Sequence, residues 1–239
     1  MKLIKVKGIV LKEITYGDND KIITILTDEL GKITAIAKGA KKNSSKFLAS
    51  CQYLVYSEFV LYKGSKMYHV NSCETISLFY KLRTDFDKLN EMFYLTKHII
   101  NLTDEDTNLS NLLSLFLNTL YIISENIRDD KFIVSVFKIK MLSILGYSMQ
   151  YMKCNKCKKD LEENKTKLFY DYVSNNLYCN DCDIKKDRNI SISYNSYMAL
   201  RYIIFSDIKK CLMITIEDKY INEFNIFANS FLDCVTNSI

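Results

Sequence analysis

Proline and tryptophan are absent from these 239 residues, histidine occurs twice and glycine six times. The gaps accompany heavy use of Lys, Asn and Ile, the mark of a codon-biased genome, and they leave no proline-rich linker. His69 and His98 lie far apart, with no serine or cysteine motif beside either, so no nucleophile–base pair can be assembled. Both read as structural. The segment "GAKKNSSK" lacks the second glycine that a P-loop places before Lys-Ser, which excludes ATP hydrolysis of that type. Long apolar runs are missing too. The first residues, "MKLIKVKGIVLKEI", are punctuated by lysines and do not form a signal peptide. The longest uncharged run, Thr107 to Ser124, is interspersed with Asn, Ser and Thr at helical spacing and predicts a core helix, not a membrane span. A cytoplasmic protein with no membrane partner is expected.

Cysteine, by contrast, is plentiful: eight residues without a secretion signal. That points to metal in a reducing compartment rather than to disulfides. Cys154-x-x-Cys157 and Cys179-x-x-Cys182 are two knuckles, each able to aim two sulfurs at one point. The segment between them predicts a hairpin turning at Asn175-Asn176, since asparagine tolerates positive φ. This is the layout of a zinc ribbon or finger: one structural Zn²⁺ per chain, four thiolates and no open coordination position. Cys51, Cys73, Cys211 and Cys234 sit in apolar surroundings and read as small buried hydrophobes.

Periodicity divides the chain. Residues 1–78 alternate as short strands: "LIKVKGIVLKEI", "KIITILTD", "KITAIAK", "YLVYSEFVLY" (53–62) and "KMYHVNSC" (66–73), with turns at "YGDND" and "ELG". Five such strands with a long insertion after the third suit an oligonucleotide-binding (OB) barrel, with an SH3-like barrel as the competing choice. From about residue 80 the period becomes helical, first in "KLRTDFDKLNEMFYLTKHIINL" from residue 81. The first helix is expected to bury Leu82, Phe86, Leu89, Phe93, Leu95 and Ile99. Gly146 predicts a helix stop, and Ser191 or Ser193 a helix start. A last helix is expected over about 217–236. The predicted fold class is α+β: an OB barrel (1–78), then a helical domain (79–239) interrupted by a zinc-finger insert at 152–190.

Charge is uneven. The chain carries a net +5, yet residues 32–66 hold seven lysines against Glu58 alone, a balance of +6, so the remainder sums to −1. The segment "KGAKKNSSK" (38–46) has four lysines, two serines and no acid. Such a loop on a barrel suits a polyanion. Lys38, Lys41, Lys42 and Lys46 are expected to neutralise phosphates, with Lys32, Lys63 and Lys66 as a second rank and Ser44 and Ser45 as hydrogen-bond donors. Tyr53, Tyr56, Tyr62 and Tyr68 lie among these lysines and are available either to stack on bases or to fill the core.

Residues 8–47 resemble the N-terminus of the bacterial recombination mediator and DNA repair protein family RecO. The matching residues are Gly8-Ile9-Val10-Leu11, Tyr16-Gly17-Asp18 with Asp20-Lys21, Thr27 with Gly31, and Lys38-Gly39-Ala40-Lys41-Lys42 with Ser45-Lys46-Phe47. The order barrel, helices, four-cysteine insert is also that family's order. Gln52-Tyr53 stands where the family often has a proline, and Asn175-Asn176 where a Gly-Gly turn is common. The resemblance implies binding of single- and double-stranded DNA, annealing of complementary strands, and partnership with RecR and with the acidic tail of single-stranded DNA-binding protein (SSB). Together these would help load RecA onto SSB-coated DNA at the nucleoid in the RecF pathway, with no enzymatic activity. Two other readings compete. One is a zinc-ribbon RNA-binding or ribosome-associated factor. The other is a metal-dependent nuclease acting through Asp18 and Asp20, although two acids in a tight turn more often serve the turn itself.

Overall fold

The computed structural model describes residues 2–105, 107–147, 153–163, 165–182 and 188–237. They form two compact units, residues 1–125 and 126–239. The first opens with the expected strands: β1 (Leu3–Tyr16), β2 (Asp20–Thr27), β3 (Lys32–Ala37), β4 (Tyr56–Lys63) and β5 (Tyr68–Ser77). They close in the order β1-β2-β3-β5-β4, with β3 parallel to β5 and β4 returning to β1. That is the five-stranded Greek-key closure of an OB-like barrel, and closure removes the sheet edges. Val6, Val10, Ile23, Ile25, Ile33, Ala35, Phe59 and Leu61 fill its interior. A register shift between Val10 and Lys12 lets β1 serve both neighbours.

The fourth strand starts three residues later than expected. Leu54 adopts a positive φ of 60° and donates its N–H to Val10 O at 2.9 Å, so residues 53–55 finish the long loop instead of extending the strand.

Three helices complete this unit: α1 (Tyr80–Arg83), α2 (Phe86–Leu102) and α3 (Ser110–Ser124). The single helix expected from residue 81 is broken at Thr84-Asp85. Asp85 caps α2 by accepting from the Asp87 and Lys88 N–H groups, both at 3.1 Å. The buried stripe of α2 is Met92, Leu95, Thr96, Ile99 and Leu102. Phe86 and Phe93 do not join it; they are 81% and 62% exposed. At about 100° per residue the five buried positions fall within an arc of about 120°, and Phe86 and Phe93 lie outside it. Gly31 fits the loop between α2 and α3 tightly: its φ is +68°, and a Cβ there would lie 2.3 Å from Thr107 O. Only glycine suits both the conformation and the contact.

The second unit contains α4 (Asp130–Ile144), β6 (Leu168–Asp171), β7 (Asn176–Cys179), β8 (Asn189–Ile192), α5 (Tyr194–Phe205), α6 (Ile208–Leu212) and α7 (Asp218–Thr236). Gly146 ends α4 as expected, with φ +84°. Ser193, not Ser191, caps α5 by accepting from Ser196 N–H at 3.2 Å; Ser191 lies on β8. The hairpin between the cysteine pairs forms, with Asn175 at φ 56° in its turn, and β8 adds a third strand in the order β7-β6-β8. Tyr170 of β6 is fully buried, its ring 4.9 Å from Phe227 of α7, which anchors the insert to the helices. The expected start of the insert, at residue 152, lies outside the described residues. Among the described residues no helix is long and apolar enough to cross a membrane.

Candidate nucleic-acid interface and metal centre

The loop between β3 and β4 owes its shape to three apolar anchors. Ala40, Phe47 and Cys51 enter the barrel core, and all three are buried. Burying a phenylalanine such as Phe47 is worth about 1.5–3 kcal/mol, ample to hold a loop against solvent. Short backbone turns complete it: Lys42 N–H to Gly39 O at 3.1 Å, Ser45 N–H to Lys42 O at 2.8 Å, and Leu48 N–H to Ser45 O at 3.2 Å. The apolar residues point in, so Lys38, Lys41, Lys42 and Lys46 are left exposed. None of the four has a carboxylate partner among the described residues, and Lys46 lies 5.2 Å from the centre of the Phe47 ring. Ser44 is exposed, whereas Ser45 Oγ already accepts from Phe47 N–H at 3.2 Å.

The β1–β2 turn is stitched to this loop. Gly39 donates its N–H to Asp20 Oδ1 at 2.7 Å, and Lys41 its N–H to Asn19 O at 3.0 Å. Asp20 therefore serves the loop, as turn chemistry would have it. On the other side, Ser50 Oγ meets Thr75 Oγ1 at 2.8 Å, and the Cys51 and Cys73 sulfurs lie 4.0 Å apart. The Cys51 hydrogen bond draws the Cys73 thiol below its ordinary range against the opposing effect of burial, and the nearby Lys46 charge adds to the lowering. The basic loop is thus pinned at one end of the barrel between β1–β2 and β5.

The second rank of lysines is elsewhere. Antiparallel pairing sends β4 away from the basic loop, so Lys63 and Lys66 project from the opposite barrel end, where β5 begins at Tyr68 beside Ala35. Extending the β3–β5 register puts Lys66 about five residue steps, on the order of 16 Å, from the level of Lys38. A cleft of about 100 Å³ there is lined by Ile33, Thr34, Lys63, Lys66, Tyr68 and the acidic Glu105. Lys32 is committed to the fold. Its ammonium donates to Ile100 O at 2.7 Å and to Thr103 O, closing the C-terminal end of α2, where a positive charge is favoured. The Lys32 ammonium, expected to meet phosphate, is thus engaged by two backbone carbonyls, unlike the exposed lysines of the loop. Replacing Lys32 by methionine should cost about 1–3 kcal/mol in a denaturant melt, by orphaning the two carbonyls, while leaving the salt dependence of nucleic-acid binding unchanged.

The four tyrosines singled out by their lysine neighbours are all partly withdrawn. Tyr53 donates to or accepts from Thr96 Oγ1 at 3.0 Å, and burial pushes its hydroxyl up to about 12. Tyr62 stacks on His69, centroids 4.8 Å apart, and Tyr68 packs against the barrel core. Tyr56 is half-buried. His98 meets Tyr94 edge-on at 4.4 Å, so both histidines are packing partners of aromatic rings. The exposed barrel tyrosine is Tyr16, at 54%. Its signal was available in the alternation of β1, where residues 12, 14 and 16 share a face.

In the second unit the Sγ atoms of Cys154, Cys157, Cys179 and Cys182 all lie within 4.8 Å of one another. Three pairs are at 3.7 Å (Cys154–Cys182), 3.6 Å (Cys157–Cys179) and 3.5 Å (Cys179–Cys182). A tetrahedron with metal–sulfur bonds of about 2.3 Å has sulfurs about 3.8 Å apart, so the donor set fits a thiolate-bound metal. The four cysteines could therefore hold a metal ion. Burial opposes ionisation of Cys154, but backbone N–H groups of Cys157, Cys179 and Lys156 more than offset it and bring the thiol to about 6. Cys51 and Cys211 are buried, as expected of small hydrophobes, while Cys73 and Cys234 are half-buried.

Comparison with known proteins agrees with this architecture. Residues 1–79 match the family model "Recombination protein O N terminal", and residues 83–235 match "Recombination protein O C terminal". "DNA repair protein RecO" of Acetivibrio thermocellus is 34% identical over 233 residues, covering 97% of this chain and 91% of that protein. The protein of the same name from Clostridium acetobutylicum is 33% identical over 236 residues, covering 97% and 92%.

Proposed function

The chain belongs to the RecO family and has a role in DNA repair and recombination, and from that premise we propose that it is a non-enzymatic, DNA-binding recombination mediator. It would bind single- and double-stranded DNA, anneal complementary strands and, with RecR, help load RecA onto SSB-coated single strands. It would work in the cytoplasm at the nucleoid. The observation that carries this reading is the anchored basic loop. Lys38, Lys41, Lys42 and Lys46 are displayed together, without carboxylate partners among the described residues, on a barrel end fixed by Ala40, Phe47 and Cys51. Such lysines meet phosphates without reading sequence, so binding should be strand-tolerant and steeply salt-dependent. Ser44 is placed to add a hydrogen bond, with Ser45 already part of the turn. Lys63 and Lys66 would join only when a strand runs the length of the barrel.

Zinc is the metal that a closed four-thiolate site favours, and its role here would be structural. The acidic tail of SSB is the expected protein ligand alongside RecR.

The competing reading is a zinc-ribbon RNA-binding or ribosome-associated factor. Side-by-side titrations with single-stranded DNA and RNA of one length separate the two. The mediator reading expects DNA to be bound at least as tightly as RNA, and complementary DNA strands to anneal faster with the protein than without it. A clear preference for RNA with no annealing would replace it.

A further inference from the structure

Ile23, Ile25, Ile33, Ala35 and Ala37 point into the barrel, so their neighbours on β2 and β3 point out. Cross-strand pairs extend that outer face to β1: Lys12 lies opposite Thr24, Ile14 opposite Ile22 and Tyr16 opposite Asp20. On the far side Thr24 pairs with Thr34 and Ile22 with Ile36, and Lys38 continues the outward series beyond Ala37. The face is not uniformly open. Towards α2 it is closed, with Leu26 at 0% exposure and Lys32 tied to the helix end. Towards the basic loop it is open. Tyr16 and Ile14 are 54% and 49% exposed beside half-buried Ile22 and buried Ile36; Tyr16 closes the strip opposite Asp20, with the exposed lysines Lys12 one row beyond Ile14 and Lys38 just past β3.

This strip is apolar along Ile14, Ile22 and Ile36 and aromatic at its Tyr16 end, with Lys12 and Lys38 near it and the Asp20 carboxylate opposite Tyr16 already bonded to the Gly39 N–H. A polyanion alone needs no aromatic ring, and an apolar protein segment needs no lysines. An unpaired nucleotide chain presents π-faces and phosphates together, whereas a duplex keeps its base faces stacked inside. Tyr16 is also held in place relative to the phosphate-gripping loop, because Asp20 and Asn19 of its hairpin accept the Gly39 and Lys41 N–H groups.

We propose that Tyr16, supported by Ile14, is a stacking platform for an unpaired base, with Lys12 and Lys38 taking the flanking phosphates, and that this platform makes the interface favour single strands. The proposal rests on the nucleic-acid-binding reading above and adds to it the ligand's strandedness and a residue that recognises it.

The test compares three ligands of equal length: an oligodeoxythymidylate, an abasic strand with the same phosphates, and a duplex. Tyr16→Ala should weaken oligodeoxythymidylate binding about 5- to 100-fold. Its affinity for the abasic strand and the duplex should stay within about twofold of wild type, with the salt slope of binding unchanged. Tyr16→Phe should retain wild-type binding, because the ring and not the hydroxyl stacks. Equal loss on the thymidylate and abasic strands would overturn the platform, as would no loss on thymidylate or a change confined to self-association. The underlying reading fails separately. If replacing Lys38, Lys41, Lys42 and Lys46 together with alanine weakens all three ligands but Tyr16→Ala changes none, only the platform falls; if the wild-type protein binds none of them, both fall.

Discussion

Replacing Lys38, Lys41, Lys42 and Lys46 together with alanine is expected to weaken single-stranded DNA binding about 200-fold at 0.15 M salt. Each lysine that neutralises a phosphate releases condensed counterions and contributes about 0.7 to the single-strand salt slope, so four contribute about 2.8. Multiplied by the logarithm of 1 M over 0.15 M, that is a little over two decades in affinity by the same relation. The fold should survive. All four side chains are exposed, and the loop hangs on Ala40, Phe47 and Cys51 instead. A thermal melt of the variant close to wild type, with the slope lowered by about 2.8, is the full expected pattern. Wild-type affinity and slope in the variant would remove the loop from the interface. Lys63→Ala with Lys66→Ala, at the other barrel end, should change binding of a long strand more than that of a very short one.

Metal removal should have the second large effect, confined to the insert. Structural zinc contributes apparent binding free energies of about 10–16 kcal/mol in small domains, far more than a few short strands can replace. A strong chelator should therefore release one equivalent and unfold the knuckles. The amides to watch are Cys154 N–H, bonded to Lys159 O at 2.8 Å, and Asn155 N–H, bonded to Leu177 O at 2.9 Å. Both should lose hydrogen-exchange protection. Barrel amides such as Leu54 N–H, bonded to Val10 O at 2.9 Å, should keep theirs, since the barrel has its own core. Cys157→Ser should reproduce the effect without chelator. Metal binding displaces protons from the thiols, so the stability it contributes is lost as pH falls. Retained protection at Cys154 and Asn155 after the metal has gone would mean that the insert does not need it.

Local rules made much of this architecture legible. Strand alternation in residues 3–37, the paired knuckles, the asparagine at positive φ in the hairpin and the glycine stop after α4 each have a cause within a few residues. What was not legible locally has a longer-range origin. Phe86 and Phe93 match a helical period but lie outside the buried stripe, Phe93 keeping one ring contact with Tyr53 at 5.5 Å, and period alone does not say which stripe is buried. Lys32 looks like its lysine neighbours until the end of α2, some seventy residues on, supplies two carbonyls. Lys63 and Lys66 are close to the basic loop in sequence, yet strand direction sends them to the opposite end of the barrel. The tyrosines nearest the lysines in sequence are partly buried, whereas Tyr16 is exposed because the outer face of β1 is left open beyond the reach of α2. Charge density is a property of sequence; which charges share a surface is decided by topology.

The proposed strand-annealing role rests on the anchored basic loop of the OB-like barrel. Its most direct test is the annealing rate of complementary strands pre-coated with SSB, measured with the wild-type protein and with the four-lysine variant. Wild type is expected to accelerate annealing well above the protein-free rate, and the variant to lose most of that gain at physiological salt. No acceleration by wild type, or equal acceleration by the variant, would contradict it.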